Sequence, residues 1–284
     1  MLKSLQLFAV LALVSCQSQR SISPSTQELV VASSAETTAD VAAPLWTSDL
    51  SHPDWMSNWQ LRDDKSWGFE NLELYQGSDA LFEDVVRVHY PAGSASPSVS
   101  RQTASPLGGA QFYADLFLPS QTRLRLSYYV RFAEGFDFVK GGKLPGVFGG
   151  VGASGGQVPN GEDGFSVRLM WRQNGQGEVY AYLPTSEKFG TSIARGAWQF
   201  EPGIWYKLEQ EIKLNTPDGV DGEIRLWVND TLVIEQSDLI FRTVDSLQID
   251  GIFFSTFFGG GDASWATPQD TYIDFADFSV TAAD

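Results

Sequence analysis

The chain has 284 residues, of which 43% are hydrophobic and 13% aromatic, and its formal net charge is −16. This apolar content can form a sizeable core and argues against a disordered chain. The negative charge argues against a nucleic-acid partner, because such a partner requires a basic surface. An anionic ligand remains compatible with it, because a few arginines and lysines can form a positive cleft on an acidic protein.

The N-terminus has the pattern of an export signal. Lys3 precedes an apolar run over residues 5–14, which is too short to span a membrane but typical of a signal-peptide core. The run ends in Leu-Val-Ser-Cys, which resembles the lipobox of bacterial lipoproteins. By this resemblance Cys16 becomes the lipidated first residue of an exported lipoprotein, at the outer membrane or facing the periplasm or cell surface. The alternative is an ordinary secretory signal with a chance cysteine.

The rest of the chain divides into a tether and one folded domain. Residues 1–16 are predicted to be the signal peptide, and residues 17–45, rich in Ser, Thr and Ala, a flexible tether. Residues 46–284 are predicted to form the domain. Cys16 is the only cysteine, so the sequence excludes an internal disulfide and a cysteine-based zinc site. We expect a monomer that meets the membrane only through its lipid.

The domain pattern is short alternating runs separated by Gly, Pro, Asn and Asp. Strands are predicted at 85–90, 124–132, 165–171, 179–183, 205–214, 223–228, 231–235, 251–257 and 271–280. The residues Val228-Asn229-Asp230-Thr231 have the pattern of a tight hairpin turn. Regular strands without long helices predict an all-β fold, a two-sheet β-sandwich or jelly roll with a concave face for an extended polymer.

Residues 164–184 predict a hairpin around the turn at 173–177. Because side chains alternate along a strand, Phe165 and its apolar partners occupy the core face. The opposite face holds a set of polar side chains, namely Ser166, Arg168, Met170, Arg172, Glu178, Tyr180 and Tyr182. If Arg172 pairs with Glu178 across the turn, Arg168 lies opposite Tyr182. We expect this polar face to be the functional site, although cross-strand pairs on a solvated sheet face would have the same pattern.

A second segment, FDFVKGGKLPGVFGG at residues 136–150, is interpreted as a glycine-rich loop with two lysines, Lys140 and Lys143. Glycine allows a ligand to approach closely, because it has no Cβ. The segment lacks the spacing of a phosphate-binding loop, and no helix follows it, so nucleotide binding is not predicted. Two exposed loop lysines without a function are the alternative.

The lysine segment, together with FSVRLMWRQNGQGEVYAYLP, RVHYPAGSASPS and FFSTFFGGGDASWATPQDTYIDF, resembles the alginate-lyase-like proteins of polysaccharide lyase family fourteen. The resemblance covers most of the folded region. It implies a β-jelly roll that cleaves a polyuronate, alginate or glucuronan, by β-elimination without a cofactor. The site residues it implies are Lys143, Ser166, Arg168, Tyr180 and Tyr182, with Lys140 as a further substrate contact.

Elimination across C4–C5 of a uronate requires a neutralised carboxylate, a base for the C5 proton and an acid for O4. Arg168 and Lys143 suit the first task, since cations stabilise developing enolate charge. Our hypothesis assigns the proton transfers to Tyr182 or Tyr180, whose ordinary pKa of about 10 nearby cations would lower. Ser166 would bind the sugar through a hydrogen bond.

Other functions fit the sequence less well. A serine triad needs a histidine, and neither His52 nor His89 stands near a serine motif. A retaining glycosidase needs two carboxylates about 5 Å apart, whereas Glu178 is alone on its predicted face. No spacing compels a metal site, although acidic loops at 160–163 and 261–262 are compatible with calcium. A non-catalytic carbohydrate-binding lipoprotein would not require a lysine, an arginine and two tyrosines to converge.

Overall fold

The structure is a computed structural model that describes residues 43–76 and 81–283. The predicted signal peptide, Cys16 and nearly all of the predicted tether lie outside these residues. Within the described part of the chain, no helix is long and apolar enough to cross a membrane.

Strands dominate the described residues, and the one α-helix found there, α1, spans Pro97–Thr103. Short 3₁₀ helices occur at Trp55–Trp59, Phe69–Asn71, Gln173–Gly175 and Ala263–Trp265. The strands in chain order are β1 (Trp46–Thr47), β2 (Leu72–Gln76), β3 (Asp84–Tyr90), β4 (Ala110–Asp115), β5 (Arg123–Phe132), β6 (Gly141–Gly150), β7 (Gly164–Arg172), β8 (Gly177–Tyr182), β9 (Thr191–Ile193), β10 (Trp205–Lys213), β11 (Gly222–Val228), β12 (Thr231–Leu239), β13 (Gly251–Phe258) and β14 (Thr271–Ala282).

The strands form two sheets in which each described pairing is antiparallel. The larger sheet has the order β12-β11-β10-β5-β14-β3-β2, with β1 also paired to β14. The smaller sheet has the order β4-β13-β6-β7-β8-β9. Half of the strand pairs, such as β5 with β14 and β4 with β13, join strands that are distant in sequence, as expected of a jelly roll. The predicted all-β, two-sheet jelly roll is therefore confirmed.

The alternation of side chains explains why the sheets pack face to face. In β5, the residues Leu124, Leu126, Tyr128, Val130 and Phe132 are all buried, and the residues between them are partly exposed. The nine predicted strands all correspond to observed strands. The predicted tight turn is also confirmed, since Val228 pairs with Thr231 and both intervening residues have positive φ.

Candidate active site

The β7–β8 hairpin presents the predicted polar face on the outer side of the smaller sheet. The alternate residues Phe165, Val167, Leu169 and Trp171 are completely buried in the core between the sheets, as predicted. The polar face is itself largely covered, since Arg168 is only 2% exposed. The face is therefore a shielded polar site rather than an open solvated surface.

The register of the hairpin differs from the prediction by two residues. Ser166 lies opposite Tyr182 and Arg168 opposite Tyr180, not opposite Tyr182 as predicted. Met170, rather than Arg172, is the Cα partner of Glu178.

The cause of this shift is the turn. The backbone N–H of Arg172 donates to the carbonyl of Gln176 at 2.6 Å, and Trp171 pairs with Gly177. Asn174 and Gly175, with φ of 60° and 75°, reverse the chain within the longer loop that results.

The predicted lysine loop is wrong in its secondary structure, because residues 141–150 form strand β6 in the middle of the smaller sheet. Lys143 lies directly opposite Met170 on β7 and Phe257 on β13. Its Nζ donates to Met170 Sδ at 2.8 Å and lies 3.8 Å from the centre of the Tyr180 ring. Lys143 is thus held on the same face as the hairpin residues.

Pro145 and Gly146 shape β6 around Arg168. Proline has no N–H to donate, and the pairing of β6 with β7 shifts register between Leu144 and Gly146. Gly146 is the partner of Arg168, and a Cβ at Gly146 would lie 2.0 Å from the Val167 carbonyl oxygen. Only glycine therefore allows this close approach of the two backbones next to the arginine.

The environment of Lys143 favours its neutral form. Burial lowers its pKa well below the ordinary value, and the nearby charges of Arg168 and Arg172 lower it further. The carboxylate of Glu178 acts in the opposite direction but does not compensate for these effects. An amine of this kind can accept a proton near neutral pH.

Arg168 is fixed by contacts behind its guanidinium group. Its Nη1 donates to Ser255 Oγ at 3.1 Å, and the guanidinium carbon lies 4.7 Å from the centre of the Phe253 ring. Ser255 Oγ in turn donates to Gln111 Oε1 at 3.2 Å. Arg168 Nε has no hydrogen-bond partner among the described residues. These contacts fix the position of Arg168 but do not use all of its N–H donors, so it can still donate to an incoming carboxylate.

The two tyrosine rings meet edge to face, with centroids 5.7 Å apart. Burial raises the pKa of Tyr180 to about 12, with further contributions from the charge and hydrogen bonding of Tyr182. Arg168 and Arg172 lower it only in part. The expectation that the cations would lower the tyrosine pKa is therefore wrong for Tyr180, because burial outweighs them.

Ser166 and Tyr182 hold the glycine-rich segment that follows β6. Ser166 is completely buried, and its Oγ donates to the Ala153 carbonyl at 2.5 Å. The Tyr182 hydroxyl accepts a hydrogen bond from the Gly156 N–H at 3.0 Å. In this arrangement the Ser166 hydroxyl donates to the protein itself, not to an open cleft as the sequence interpretation expected.

Lys140 lies at one end of the face. Its Nζ contacts Ser264 Oγ and is 5.9 Å from the centre of the Trp265 ring. The lysine over Tyr180 is Lys143, which favours Lys143 over Lys140 as the central lysine.

Both histidines lie elsewhere: His89 pairs with Glu73 at 2.7 Å on the larger sheet, and His52 precedes the first 3₁₀ helix.

Sequence reasoning missed an ion cluster next to the site. Glu178 is completely buried and accepts from Arg172 Nη2, from Arg195 Nε at 2.6 Å and from Ser192 Oγ at 3.1 Å. The sequence indicated only part of this cluster, the predicted Arg172–Glu178 pair across the turn. Arg195 follows β9 and was not predicted to contact Glu178. Both Glu178 oxygens are thus occupied by cations, which argues against Glu178 as a glycosidase acid.

Among residues 43–76 and 81–283, no group of three or more histidine, cysteine or acidic side chains could hold a metal ion. The site instead combines three groups. These are the amine of Lys143, whose neutral form is favoured, the buried guanidinium of Arg168 with an unpaired N–H donor, and Tyr180, which keeps its proton. Such a set can neutralise a carboxylate, remove an adjacent carbon-bound proton and protonate a leaving oxygen.

A jelly roll that carries this site on its outer sheet face belongs to the class of polysaccharide lyases. The family model described as Polysaccharide lyase 14 matches residues 79–278. The chain belongs to this family and is a lyase enzyme, as the sequence resemblance implied.

Solved structures agree with this assignment. The PL-14 alginate lyase from the marine Aplysia kurodai is 30% identical, with a TM-score of 0.75, and the match covers 85% of this chain and 100% of that one. An alginate lyase from a Chlorella virus is 23% identical with a TM-score of 0.67, covering 85% and 100%. An endo-beta-1,4-glucuronan lyase from the fungus Trichoderma reesei is 11% identical with a TM-score of 0.57, covering 85% and 96%. The similarity to the last two proteins shows a shared fold. The comparison with curated proteins found no match to the chain.

Proposed function

We propose that the protein cleaves a polyuronate by β-elimination at the face formed by β6, β7 and β8. The polyuronate we propose as its substrate is alginate. The similarity to the Aplysia alginate lyase supports the substrate class. The observation that carries the proposal is the placement of Lys143 over the Tyr180 ring, with Lys143 on β6 opposite Met170 on β7, and Arg168 on β7 opposite Tyr180 on β8.

Arg168 is proposed to bind the carboxylate of the sugar that loses its C5 proton. Its guanidinium group is buried and anchored by Ser255, yet Nε lacks an acceptor. A carboxylate is the natural partner of this planar donor group, and the pairing spreads the negative charge that develops when the proton leaves. Removal of the C5 proton becomes easier for this reason.

Lys143 is proposed to perform both proton transfers, in place of the tyrosines favoured by the sequence hypothesis. Its lowered pKa makes the amine available as a base, and the amine takes the C5 proton. The electron pair of the C5–H bond forms the C4=C5 double bond, and the C4–O4 bond breaks. The Lys143 ammonium then returns its proton to O4, which restores the amine.

Tyr180 and Tyr182 are proposed to orient the sugar. With its pKa raised to about 12, Tyr180 keeps its proton near neutral pH and can donate a hydrogen bond to O4 as charge develops there. The Lys143 ammonium is the stronger acid of the two, because its pKa is well below the ordinary value. Tyr182 fixes the segment around Gly156 and the position of the Tyr180 ring.

A single group that serves as base and acid has a stereochemical consequence. It must reach H5 and O4 from the same side of the sugar. Mannuronate and glucuronate carry these atoms on the same side, whereas guluronate, the C5 epimer of mannuronate, carries them on opposite sides. We therefore propose mannuronate blocks as the preferred part of alginate.

The decisive experiment follows the ultraviolet absorbance of the new conjugated double bond with mannuronate-rich alginate, guluronate-rich alginate and glucuronan. We expect the fastest rise with mannuronate blocks and none from a Lys143→Ala variant. New reducing ends without this absorbance would refute the elimination in favour of hydrolysis. Retention on the polymer without either signal would indicate a binding module.

We also propose that the protein is an exported, monomeric lipoprotein attached through Cys16. The apolar run and the sequence around Cys16 support this proposal. In a bacterial host, a lipid label should be incorporated into the wild type and not into a Cys16→Ala variant, and the released domain should sediment as one chain of its mass. A labelled Cys16→Ala variant would contradict the anchor.

A further inference from the structure

Arg172 lies beside the proposed reaction centre, and its part in the proposed elimination so far is only the effect of its charge on the Lys143 pKa. It is the last residue of β7, four positions after Arg168, so the two Cα atoms lie about 13 Å apart along the strand. Lys143 pairs with Met170, between the two arginines. The Arg172 guanidinium carbon is 5.9 Å from the centre of the Tyr180 ring, over which Lys143 lies. The two arginines therefore flank the lysine.

A buried carboxylate holds Arg172 in this position. Glu178 is completely buried, and the Arg172 side chain is only 13% exposed. Arg195, whose side chain is 51% exposed, occupies the other oxygen of Glu178 at 2.6 Å. Two arginines share one acid, so the cluster keeps a net positive charge. On a chain with a net charge of −16, such a local positive excess beside the proposed reaction centre can attract an anionic ligand.

Other groups around Arg172 also suit the binding of an anionic sugar. Arg172 Nε is buried and has no hydrogen-bond partner among the described residues. An unpaired buried donor is unfavourable, and a bound acceptor relieves the cost. The Trp265 ring lies 6.0 Å from the Arg172 guanidinium carbon and 5.9 Å from Lys140 Nζ. A half-buried indole near two cations offers apolar surface for a sugar ring whose carboxylate pairs with a cation.

We propose that Arg172, held by Glu178 and accompanied by Trp265 and Lys140, forms a second uronate-binding subsite adjacent to the reaction centre. This subsite binds the carboxylate of a sugar that is not cleaved, and it rests on the proposed polyuronate lyase function. Glu178 is a positioning residue that fixes the guanidinium group, and Arg168 binds the sugar that reacts. The enzyme should accordingly gain affinity for oligomers long enough to reach both arginines.

The test compares mannuronate oligomers of two to six sugars on the wild type and on Arg172→Gln. The change should raise KM for the hexamer on the order of tenfold, because a charge-assisted hydrogen bond is lost. The value of kcat at saturation, compared at a pH high enough that Lys143 is unprotonated in both proteins, should change by less than about threefold, because the reacting sugar keeps its contacts. For the shortest cleaved oligomer, KM should be nearly unchanged. Arg172→Lys retains a positive charge beside Glu178 but lacks the planar guanidinium group that pairs with a carboxylate through two hydrogen bonds. This variant should fold like the wild type and recover only part of the affinity lost in Arg172→Gln.

A matched control is Arg123→Gln on the larger sheet. Arg123 and Arg125 share Glu211, which is 5% exposed, much as Arg172 and Arg195 share Glu178, and Arg225 lies 3.6 Å from the same carboxylate as Arg123. The control should lose similar stability without any change in KM. Equal KM values for Arg172→Gln and the wild type at every oligomer length would overturn the subsite, as would an equal rise in KM at every length.

Binding without turnover separates this proposal from the proposed function. Calorimetry with the hexamer on Lys143→Met, with and without Arg172→Gln, measures the subsite alone. A weaker hexamer affinity in the double variant supports the subsite even if the wild type forms no unsaturated ends, which would refute only the lyase chemistry. Equal affinity in the two variants overturns the subsite whatever the catalytic result.

Discussion

Lys143→Met should abolish elimination and at the same time stabilise the fold. The wild-type lysine carries its amine into a buried position near two arginines, and this environment lowers its pKa well below the ordinary 10.5. Methionine has a similar length and no charge, and it would pack against Met170. Replacement of poorly compensated buried charges by apolar side chains typically stabilises proteins by about 1–4 kcal/mol. We expect about 1–2 kcal/mol near neutral pH, because the wild type must there either hold the charge beside two arginines, which Glu178 offsets in part, or release a proton that the unfolded chain keeps.

The pH dependence of this gain follows from the direction of the pKa shift. Below the folded-state pKa the lysine is protonated in both states, and the folded protein carries the full electrostatic cost. Between the folded-state pKa and 10.5, only the unfolded state holds the proton, so wild-type stability rises with pH. The advantage of Lys143→Met should therefore be largest at low pH and shrink as the pH rises through the folded-state pKa.

Chemical denaturation at several pH values measures this difference, and Lys213→Met is the control. Lys213 pairs with Glu223 at 2.9 Å on the larger sheet, so its replacement removes a favourable contact and should not stabilise the fold. A Lys143→Met protein that is less stable than the wild type at every pH would refute the electrostatic account of Lys143. A variant that still forms unsaturated ends would refute its role as the base.

Three further outcomes follow from the same geometry. Gly146→Ala should cost about 1–3 kcal/mol of unfolding free energy, measured by denaturation, and most of the activity, since its Cβ would meet the Val167 carbonyl at 2.0 Å; normal stability would contradict this packing. Ser166→Ala leaves the Ala153 carbonyl without its donor, so it should cost about 1 kcal/mol and raise KM more than it lowers kcat in steady-state assays. The wild-type kcat/KM should rise with pH through the lowered Lys143 pKa of the free enzyme, and a profile that rises only towards pH 12 would instead indicate Tyr180 as the base.

Alternation along the strands was sufficient to place most of the site from sequence. A period of two separates Phe165 and Val167 in the core from Arg168 on the outer face, and the same rule places Tyr180 and Tyr182 together. This information survives an error in register of two residues, because such a shift keeps every side chain on its face. The faces of the hairpin were therefore predictable even though its pairing was not.

Composition misled the interpretation of β6. The segment is rich in glycine and contains proline, which are typical of loops. In the fold, its glycines make room for large neighbours: a Cβ at Gly142 would lie 2.1 Å from the Trp171 ring, and one at Gly149 would lie 2.5 Å from the Phe165 ring. These contacts join residues far apart in sequence, so no local pattern reveals them.

The electrostatics of the site also depended on information that the sequence does not contain. Nearby cations were expected to lower the pKa of a tyrosine, yet burial dominates and raises that of Tyr180 to about 12. The same burial acts in the opposite direction on Lys143, whose charged form is the one that burial disfavours. Depth of burial is a property of the packed sheets, and it favours Lys143 over Tyr180 as the proposed base.

The different chemistry of lysine and arginine explains how one crowded cluster supplies both a base and permanent cations. Burial lowers the pKa of Arg168 as well, but a guanidinium group starts so high that it remains charged. Burial, together with the charges of the two arginines, thus lowers the Lys143 pKa and favours the unprotonated amine before substrate binds. When uronate carboxylates pair with Arg168 and Arg172, they offset the positive charge that lowers the Lys143 pKa. In the proposed mechanism, the amine then becomes more basic when the C5 proton lies beside it, so the charge of the bound polymer increases the basicity of the group proposed to cleave it.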